Sequence, residues 1–216
     1  MIFKKTYILL RNNISKTKLF WKYRHFIQPT VWKDYKEDYN STRRKYYTEI
    51  VKRENLFSVF EFGCASGPNF FSLSQDINDF IYFGYDISVK AINSVKAHNK
   101  KEVKFSSKLS IKLLESFLKI NNYPKFDIVL FDRVLYMLSE AQVRKLLNQI
   151  NQIINYVVIE DFHSNNPKWD NEKYIYAKNY IEIFESYGFI LIENKKSPMK
   201  SSSAQKYARR ILLRKK

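Results

Sequence analysis

The most constraining feature of the sequence is a glycine turn between two apolar segments, each with an acid at its carboxyl end. Residues 59–62 are Val-Phe-Glu-Phe, and the turn that follows contains Gly63 and Gly67. A second apolar segment, 80–85, runs into Asp86, nineteen positions after Gly67. Glycine lets a backbone approach another group closely, and strands that alternate with helices form parallel sheets. The pattern predicts an α/β fold with a binding site at the ends of its first two strands.

The rest of the chain continues this alternation of strand and helix patterns. We predict a basic, aromatic helical extension over 1–52, with a helix capped by Ser41, and one domain over 53–216. Residues 161–167 are predicted to be irregular. The predicted strands are 57–62, 80–85, 102–105, 126–131, 156–160, 189–193 and 208–213. The predicted helices are 68–76, 88–99, 110–119, 139–153, the last of these capped by Ser139, and 171–187, ended by Gly188.

The turn and the acid that follows it indicate a cofactor that contains adenosine. Asp86, at the end of the second strand, is placed to accept hydrogen bonds from ribose hydroxyls. A dinucleotide would need closely spaced glycines and free helix amides for its pyrophosphate. Here Ala65 stands between the glycines, Pro68 lacks an amide proton, and Glu61 brings a negative charge. These features favour a ligand with an ammonium and a sulfonium, such as S-adenosylmethionine (SAM).

These motifs resemble those of the class I SAM-dependent methyltransferases. Residues 61–67 match the family's acid and glycine motif with Ala65 substituted, Asp86 matches its second motif, and 126–135 matches its fourth-strand segment. The resemblance covers roughly residues 56 to 213. It implies a single Rossmann-like α/β domain whose seven-stranded, mainly parallel sheet has an antiparallel last strand, and it implies methyl transfer from SAM. Many members carry an acid after the third strand for the adenine, whereas this chain has Ser106 there.

The expected site residues lie beyond the carboxyl ends of the strands. For catalysis we predict His163 as the base that deprotonates an acceptor hydroxyl, because its pKa suits proton removal near neutrality, with Asp161 as the second candidate. Asp132, Asp161 and Asn165 have the oxygen ligands that Mg²⁺ prefers, but their spacing is only suggestive and we predict no metal. The predicted cofactor-binding residues are Glu61, Gly63, Cys64, Ala65, Gly67, Asp86, Ile87, Ser106, Asp132 and Arg133.

Charge is concentrated at the two ends of the chain. Residues 1–33 carry eight Lys or Arg and 195–216 carry nine, both without an acid, and together they account for the formal net charge of +17. Such ends attract nucleic acid or an acidic membrane, guide an anionic substrate, or reflect lysine drift at tolerant termini. The single cysteine, Cys64, excludes an internal disulfide and fits the cytoplasm. We therefore expect a cytoplasmic protein, with a peripheral position at the inner membrane face left open.

Three functions remain open from the sequence. The leading hypothesis is O-methylation of a sugar or another small molecule, in the manner of the small bacterial glycan and secondary-metabolite methyltransferases that the chain resembles. The second is methylation of RNA, which the basic ends and the aromatic content favour. Against base amino methylation, residues 132–135 read Asp-Arg-Val-Leu and not the Asp/Asn-Pro-Pro-aromatic segment of those enzymes. The third is SAM binding without turnover. The sequence does not name the acceptor or the oligomeric state.

Overall fold

The computed structural model describes residues 41–170, 175–198 and 206–216, and within these it leaves out the side chains of 168–170 and 175–176. The described residues form a seven-stranded sheet with helices on both of its faces. The predicted α/β fold is therefore confirmed. The predicted extension over 1–52 falls mostly outside the described residues, and so do Trp32, Tyr35 and Tyr39, which the sequence suggests as cofactor-covering aromatics.

The element boundaries lie close to those predicted for most of the chain. The strands are β1 (Ser58–Phe62), β2 (Ile81–Tyr85), β3 (Val103–Ser106), β4 (Phe126–Asp132), β5 (Ile154–Phe162), β6 (Lys168–Asp170), β7 (Ile175–Ala177), β8 (Phe189–Lys196) and β9 (Ala208–Lys215). The helices are α1 (Thr42–Arg53), α2 (Pro68–Asp76), α3 (Val89–Val95), α4 (Ile111–Ile120), α5 (Glu140–Ile150) and α6 (Tyr180–Glu185), with 3₁₀ turns at Lys96–His98 and Leu135–Met137.

The strand order of the large sheet is β3-β2-β1-β4-β5-β9-β8. The first five of these pair in parallel, and β9 runs antiparallel to both β5 and β8. The carboxyl ends of the parallel strands therefore share one edge of the sheet, which we call the carboxyl edge. Because β9 is antiparallel, it begins at this edge and β8 ends there.

Apolar residues cover both faces of the sheet, as a parallel sheet buried on both sides requires. One face carries Phe60, Val129 and Phe131 and packs against α4, α5 and α6. The other carries Val59 and Ile128 and packs against α1, α2 and α3. Helix starts are fixed locally: the side chain of Ser88 caps α3, Ser110 caps α4, and Ser139 forms a capping box with Gln142 at α5.

Helix α1 is part of the core and not an appendage to it. Tyr47, Ile50 and Val51 are buried in the same apolar cluster as Phe70 and Leu73 of α2. Ser41 occupies the N-cap position as predicted, but its hydroxyl accepts no capping hydrogen bond, and it is buried without a partner among the described residues. Burial of the apolar face, and not the cap, therefore holds α1 in place.

Two predictions about the segment after β4 are wrong. Strand β5 continues through Phe162, so Asp161 lies in a buried strand and not in an irregular loop. In the described part of the helix predicted over 171–187, residues 175–177 instead pair with 168–170 in a two-stranded antiparallel sheet, and the helix there begins at Tyr180. The run Tyr-Ile-Tyr at 174–176 is rich in strand-forming residues, and this signal could have indicated the strand. The helix ends at Glu185, two residues before the predicted end at 187, and Gly188, whose φ is +81°, follows in the turn.

Candidate active site

The turn between β1 and α2 is held in shape by backbone hydrogen bonds. The amides of Gly63 and Cys64 both donate to the carbonyl of Tyr85, at 2.7 and 2.9 Å, and the amide of Gly67 donates to the carbonyl of Cys64 at 2.8 Å. Gly63, Ala65 and Gly67 take φ values of +85°, +47° and +73°. The left-handed region is costly for a residue with a Cβ atom, so Ala65 adopts it under the constraint of the surrounding turn.

Asp86 joins this turn to the end of β2. Its carboxylate accepts hydrogen bonds from the amide of Ala65 at 2.9 Å and from the amide of Ser88 at 2.7 Å, and its own amide donates to the carbonyl of Ser106 at 3.2 Å. Asp86 and the adjacent Ile87 are both half-buried. The structure thus brings the two predicted motifs, the glycine turn and the second-strand acid, into direct contact at the carboxyl edge.

Cys64 faces away from this edge. It is 1% exposed, and a Cβ atom added to Gly84 of β2 would lie 2.9 Å from its Sγ atom. Burial raises the pKa of its thiol well above the ordinary value, which keeps the thiol protonated and unreactive. Its backbone amide and carbonyl both serve the turn, and the predicted cofactor contact of Cys64 stays a prediction. Gly84, which the sequence reading did not single out, is the residue that makes room for this side chain.

Ser106 lies at the end of β3, where the prediction placed it, but its hydroxyl is engaged locally. The hydroxyl donates to the carbonyl of Lys108 at 2.8 Å and accepts from the amide of Lys108 at 3.0 Å. This small turn fixes the chain that follows β3. A contact between Ser106 and an adenine ring would have to compete with these bonds, and the contact stays a prediction.

The carboxyl group of Glu61 is directed into the protein. The residue is 1% exposed, its Oε1 accepts a hydrogen bond from Asn69 Nδ2 at 2.8 Å, and its Oε2 accepts one from the hydroxyl of Tyr82. Burial raises its pKa to about 7, against the opposing effect of these two hydrogen bonds. Both oxygens are therefore held by protein partners, and the predicted contact of Glu61 with a ligand ammonium stays a prediction.

Asn69, in the first turn of α2, is the central residue of a buried polar network, because its side chain bonds three other members of that network. Its Nδ2 also donates to Asp132 Oδ2 at 3.1 Å, and its Oδ1 accepts from Arg44 Nη1 at 2.5 Å. One amide thereby joins α1, β1, α2 and β4. An amide at this position suits the network because it supplies donors to two acids and an acceptor to an arginine.

Two arginines of α1 hold Asp132 at the end of β4. Arg43 Nη1 lies 2.7 Å from Oδ1 and Arg44 Nη1 lies 3.3 Å from Oδ2. Burial alone would raise the pKa of Asp132, but Arg43, Arg44 and Arg133 outweigh it and hold the pKa below its ordinary value. Asp132 is therefore an ionised, paired carboxylate. That pairing makes it an anchor for α1 and leaves it poorly suited to remove a proton.

The network continues across the sheet to β9. Glu160 of β5 lies directly beside Asp132 in the strand register, and its carboxylate accepts from Arg210 Nε at 2.9 Å and from the hydroxyl of Ser197 at 2.7 Å. The side chain of Glu160 is fully buried, and burial raises its pKa. Asp132 and Glu160 are thereby paired with Arg43, Arg44 and Arg210, which is the pairing that buried charges need.

Arg133 follows Asp132 and takes a φ of +52°. Its amide donates to the carbonyl of Glu160 at 2.8 Å, which extends the pairing of β4 and β5 by one bond. Its Nε atom is buried and has no hydrogen-bond partner among the described residues. The predicted role of Arg133 in cofactor binding stays a prediction.

Both ring nitrogens of His163 are engaged by the protein. Nδ1 accepts a hydrogen bond from the amide of Tyr180 at 3.2 Å, so the proton is assigned to Nε2, which lies 3.0 Å from Asn165 Oδ1. The residue is 6% exposed, and burial lowers its pKa. This neutral histidine has no ring lone pair left for an acceptor hydroxyl, so the geometry does not favour His163 as the general base.

Asp161 and Lys178 form a buried pair that holds the 3₁₀ turn after β4. Each is 1% exposed. Asp161 Oδ2 accepts from the amide of Tyr136 at 3.1 Å, while Lys178 Nζ donates to the carbonyls of Leu135 at 3.1 Å and Tyr136 at 3.5 Å. Burial raises the pKa of Asp161 and lowers that of Lys178, and the attraction between the two charges opposes both effects. Asp161 thus serves the backbone of this turn, which does not favour its predicted role as a base.

The metal hypothesis gains nothing from the geometry. Across 41–170, 175–198 and 206–216 no group of three or more His, Cys, Asp or Glu side chains is arranged to hold a metal ion. The same ranges contain no helix that is long and apolar enough to cross a bilayer.

Sequence reasoning missed Arg43, Arg44, Asn69 and Lys178. A local signal existed for Asn69, which lies two positions after the turn glycine and so in the first turn of the next helix. The others were visible only as basic residues in helical or strand-like segments.

Comparison with known proteins gives the fold. No model of a protein family matches the chain, and no curated protein matches it. Among solved structures, magnesium protoporphyrin IX methyltransferase from Synechocystis PCC 6803 with bound S-adenosylhomocysteine (SAH) is similar with a TM-score of 0.67 and 13% identity, over 94% of this chain and 100% of that one.

Two further structures agree with this result. The O-methyltransferase of a trans-AT polyketide synthase multienzyme from Brevibacillus brevis, in complex with SAH, has a TM-score of 0.58 and 13% identity over 89% of this chain and 78% of its own. A SAM-dependent methyltransferase from Mesorhizobium loti has a TM-score of 0.56 and 12% identity over 82% and 100%. The chain therefore has the fold of the class I SAM-dependent methyltransferases.

Proposed function

We propose that this protein is a SAM-dependent methyltransferase that methylates a hydroxyl group of a small molecule, with a sugar as the leading class of acceptor. The observation that carries the proposal is the contact of Asp86 with the glycine turn, where the carboxylate lies 2.9 Å from the amide of Ala65 at the carboxyl edge. Two of the three solved structures compared above contain SAH, which supports the assignment of the cofactor.

The residues at this edge fit SAM better than a dinucleotide. Helix α2 begins with Pro68, which has no amide proton, and the acid Glu61 is hydrogen-bonded to Asn69 in the first turn of that helix. Both features weaken the positive helix end that would bind pyrophosphate. In the proposed complex Asp86 accepts hydrogen bonds from the ribose hydroxyls, and Gly63, Ala65 and Gly67 let the backbone approach the ligand closely. Glu61 acts indirectly, by holding Asn69 and α2.

SAM supplies an activated methyl group: its carbon–sulfur bond breaks, leaving SAH, as the acceptor oxygen forms a new bond to carbon, and the hydroxyl proton is released to solvent. The protein must bring donor and acceptor into line and keep water away, which alone lowers a barrier by several kcal/mol. His163, Asp161 and Asp132 are each held by protein groups. We therefore propose that alignment, and not a strong general base, provides most of the rate acceleration.

The proposal is tested by binding and by turnover. Calorimetric titration of the full chain with SAM, SAH and NAD should give tight binding of the first two only, and Asp86→Ala should weaken it at least tenfold, since a carboxylate hydrogen bond is worth about 1.5–3 kcal/mol. Asp127→Ala is a matched control at the opposite end of β4, where the carboxylate accepts hydrogen bonds from the amides of Phe57 and Ser58 and from no other group in the described part of the chain. Tight NAD binding, or unchanged SAH affinity in Asp86→Ala, would contradict the cofactor assignment.

Turnover is then measured as transfer of labelled methyl to panels of glycans, phenols and short RNAs. Labelling of small hydroxyl acceptors is expected. Labelling of RNA alone would replace the proposed acceptor class, and SAM binding without any labelling would favour a non-catalytic role.

A further inference from the structure

The cationic end of the chain meets the carboxyl edge of the sheet. Strand β9 pairs antiparallel with β5, so Ala208 lies opposite Phe162 and Arg209 opposite Asp161. The next pairing, between β8 and β9, sets Lys196 opposite Arg209. Lys196 and Arg209 therefore lie at the same edge as the proposed cofactor site, and not at the opposite end of the domain.

Arg209 and Lys196 form a cationic patch that the described acids do not neutralise. Two like charges directly opposite each other on neighbouring strands disfavour the pairing. Asp161, the cross-strand neighbour of Arg209, is buried and bonds the amides of Phe162 and Tyr136 instead. Within the described residues the side chain of Arg209 makes one hydrogen bond, a 3.4 Å contact of Nη1 with the carbonyl of Ala208, and Lys196 is exposed and forms no ion pair there.

The alternation of side chains separates this patch from the buried network. Glu160 and Arg210 lie on the α1 face of the sheet, where Arg210 packs over the ring of Tyr46 at 4.4 Å. Arg209 lies on the other face, beside the end of β5, where its guanidinium adds to the effect of burial in lowering the pKa of His163. Arg210 is thus committed to structure, whereas Arg209 and Lys196 present their charge at the edge.

We propose that the patch of Lys196 and Arg209 binds a phosphate or comparable dianionic group of the methyl acceptor. The inference rests on the proposed function, because it assigns the acceptor of that site to the class of small phosphorylated molecules. An arginine fork and a lysine point charge on adjacent strands match a phosphate group in charge and in hydrogen-bond donors. A bound dianion would also relieve the repulsion between the two opposed cations.

The test is a calorimetric titration of the full chain, saturated with SAH, with inorganic pyrophosphate as the probe. The variant Lys196→Gln/Arg209→Gln should bind pyrophosphate about tenfold or more weakly, since both charged donors to the probe are removed. The control Lys101→Gln/Lys119→Gln removes two exposed charges near the start of β3 and the end of α4, at the opposite edge. It should change the affinity less than twofold.

Each outcome decides the inference. Loss of pyrophosphate binding in the patch variant alone, with SAH affinity unchanged in all proteins, supports it. No binding by the unsubstituted chain, or equal weakening in both variants, overturns it. Tighter, strongly salt-dependent binding of oligouridine that competes with pyrophosphate would assign the patch to nucleic acid and would also overturn it. Failure of SAH to bind counts against the proposed function and is read separately, from the preceding SAH titration.

Discussion

Replacement of Asn69 by Ala should destabilise the protein more than any neighbouring polar truncation in α2. Its side chain makes three hydrogen bonds to charged partners, at 2.8, 3.1 and 2.5 Å. At about 1.5 kcal/mol each these bonds sum to about 4.5 kcal/mol, but Asp132 and Glu61 each keep other partners, so we expect a loss of about 3 kcal/mol. The variant also leaves buried charge less well solvated, which would favour protonation of Glu61.

The assay is urea denaturation at pH 7.5, followed by circular dichroism, with Ser72→Ala as the control. Ser72 lies on the same helix, is 4% exposed, and makes no hydrogen bond to the network. Its truncation should cost less than about 1 kcal/mol. If Asn69→Ala lowers the unfolding free energy no more than Ser72→Ala does, the central role of Asn69 in the network is refuted.

Three further predictions concern the turn and the buried groups. The folded-state pKa of Glu61 is about 7, above its ordinary value of 4.5, so the contribution of Glu61 to stability is full below pH 4.5 and is lost as the pH rises through 7. In urea denaturation Glu61→Gln should therefore stabilise the protein by about 2–3 kcal/mol at pH 8 and by almost nothing at pH 4.5. An effect that does not change with pH would contradict this prediction. Gly63→Ala brings a Cβ atom within 2.7 Å of Val134 at a φ of +85° and should lower the unfolding free energy by about 2–4 kcal/mol in the same assay. The control Gly188→Ala has a similar φ of +81° but its nearest contact is at 3.8 Å, so it should lower the unfolding free energy by about 1 kcal/mol. Equal losses of stability in the two variants would exclude the clash with Val134 as the cause. His163→Ala leaves the buried amide of Tyr180 without its acceptor, so it should lower the unfolding free energy by about 1–3 kcal/mol and leave the SAH affinity unchanged. Unaltered stability would contradict the structural role of this histidine.

The features that could be predicted from the sequence depend on residues close together in the chain. Gly63, Gly67 and Asp86 lie within twenty-four positions of one another, and their roles follow from the backbone that a strand–turn–helix–strand unit requires. The alternation of apolar segments likewise predicts the positions of the strands. The helix predicted over 171–187 is wrong at 175–177, which pair as a strand, because a short aromatic run satisfies either pattern until its neighbours are known.

The parts that the sequence did not predict depend on contacts between distant residues. Arg43 and Asp132 are eighty-nine positions apart, and Lys178 and Leu135 are forty-three apart. Nothing local distinguishes Arg43 from the other basic residues of α1. The carboxylates of Glu61 and Asp132 were placed at the correct edge, but whether they meet ligand or protein depended on Asn69 and the arginines that α1 brings to them.

The most direct test of the central claim is a crystal structure of the full chain with SAH. We predict ribose hydroxyls within hydrogen-bond distance of the Asp86 carboxylate, and the amino-acid part of the ligand against the turn from Gly63 to Gly67. SAH bound at another place, or bound at this edge with its ribose away from Asp86, would contradict the account.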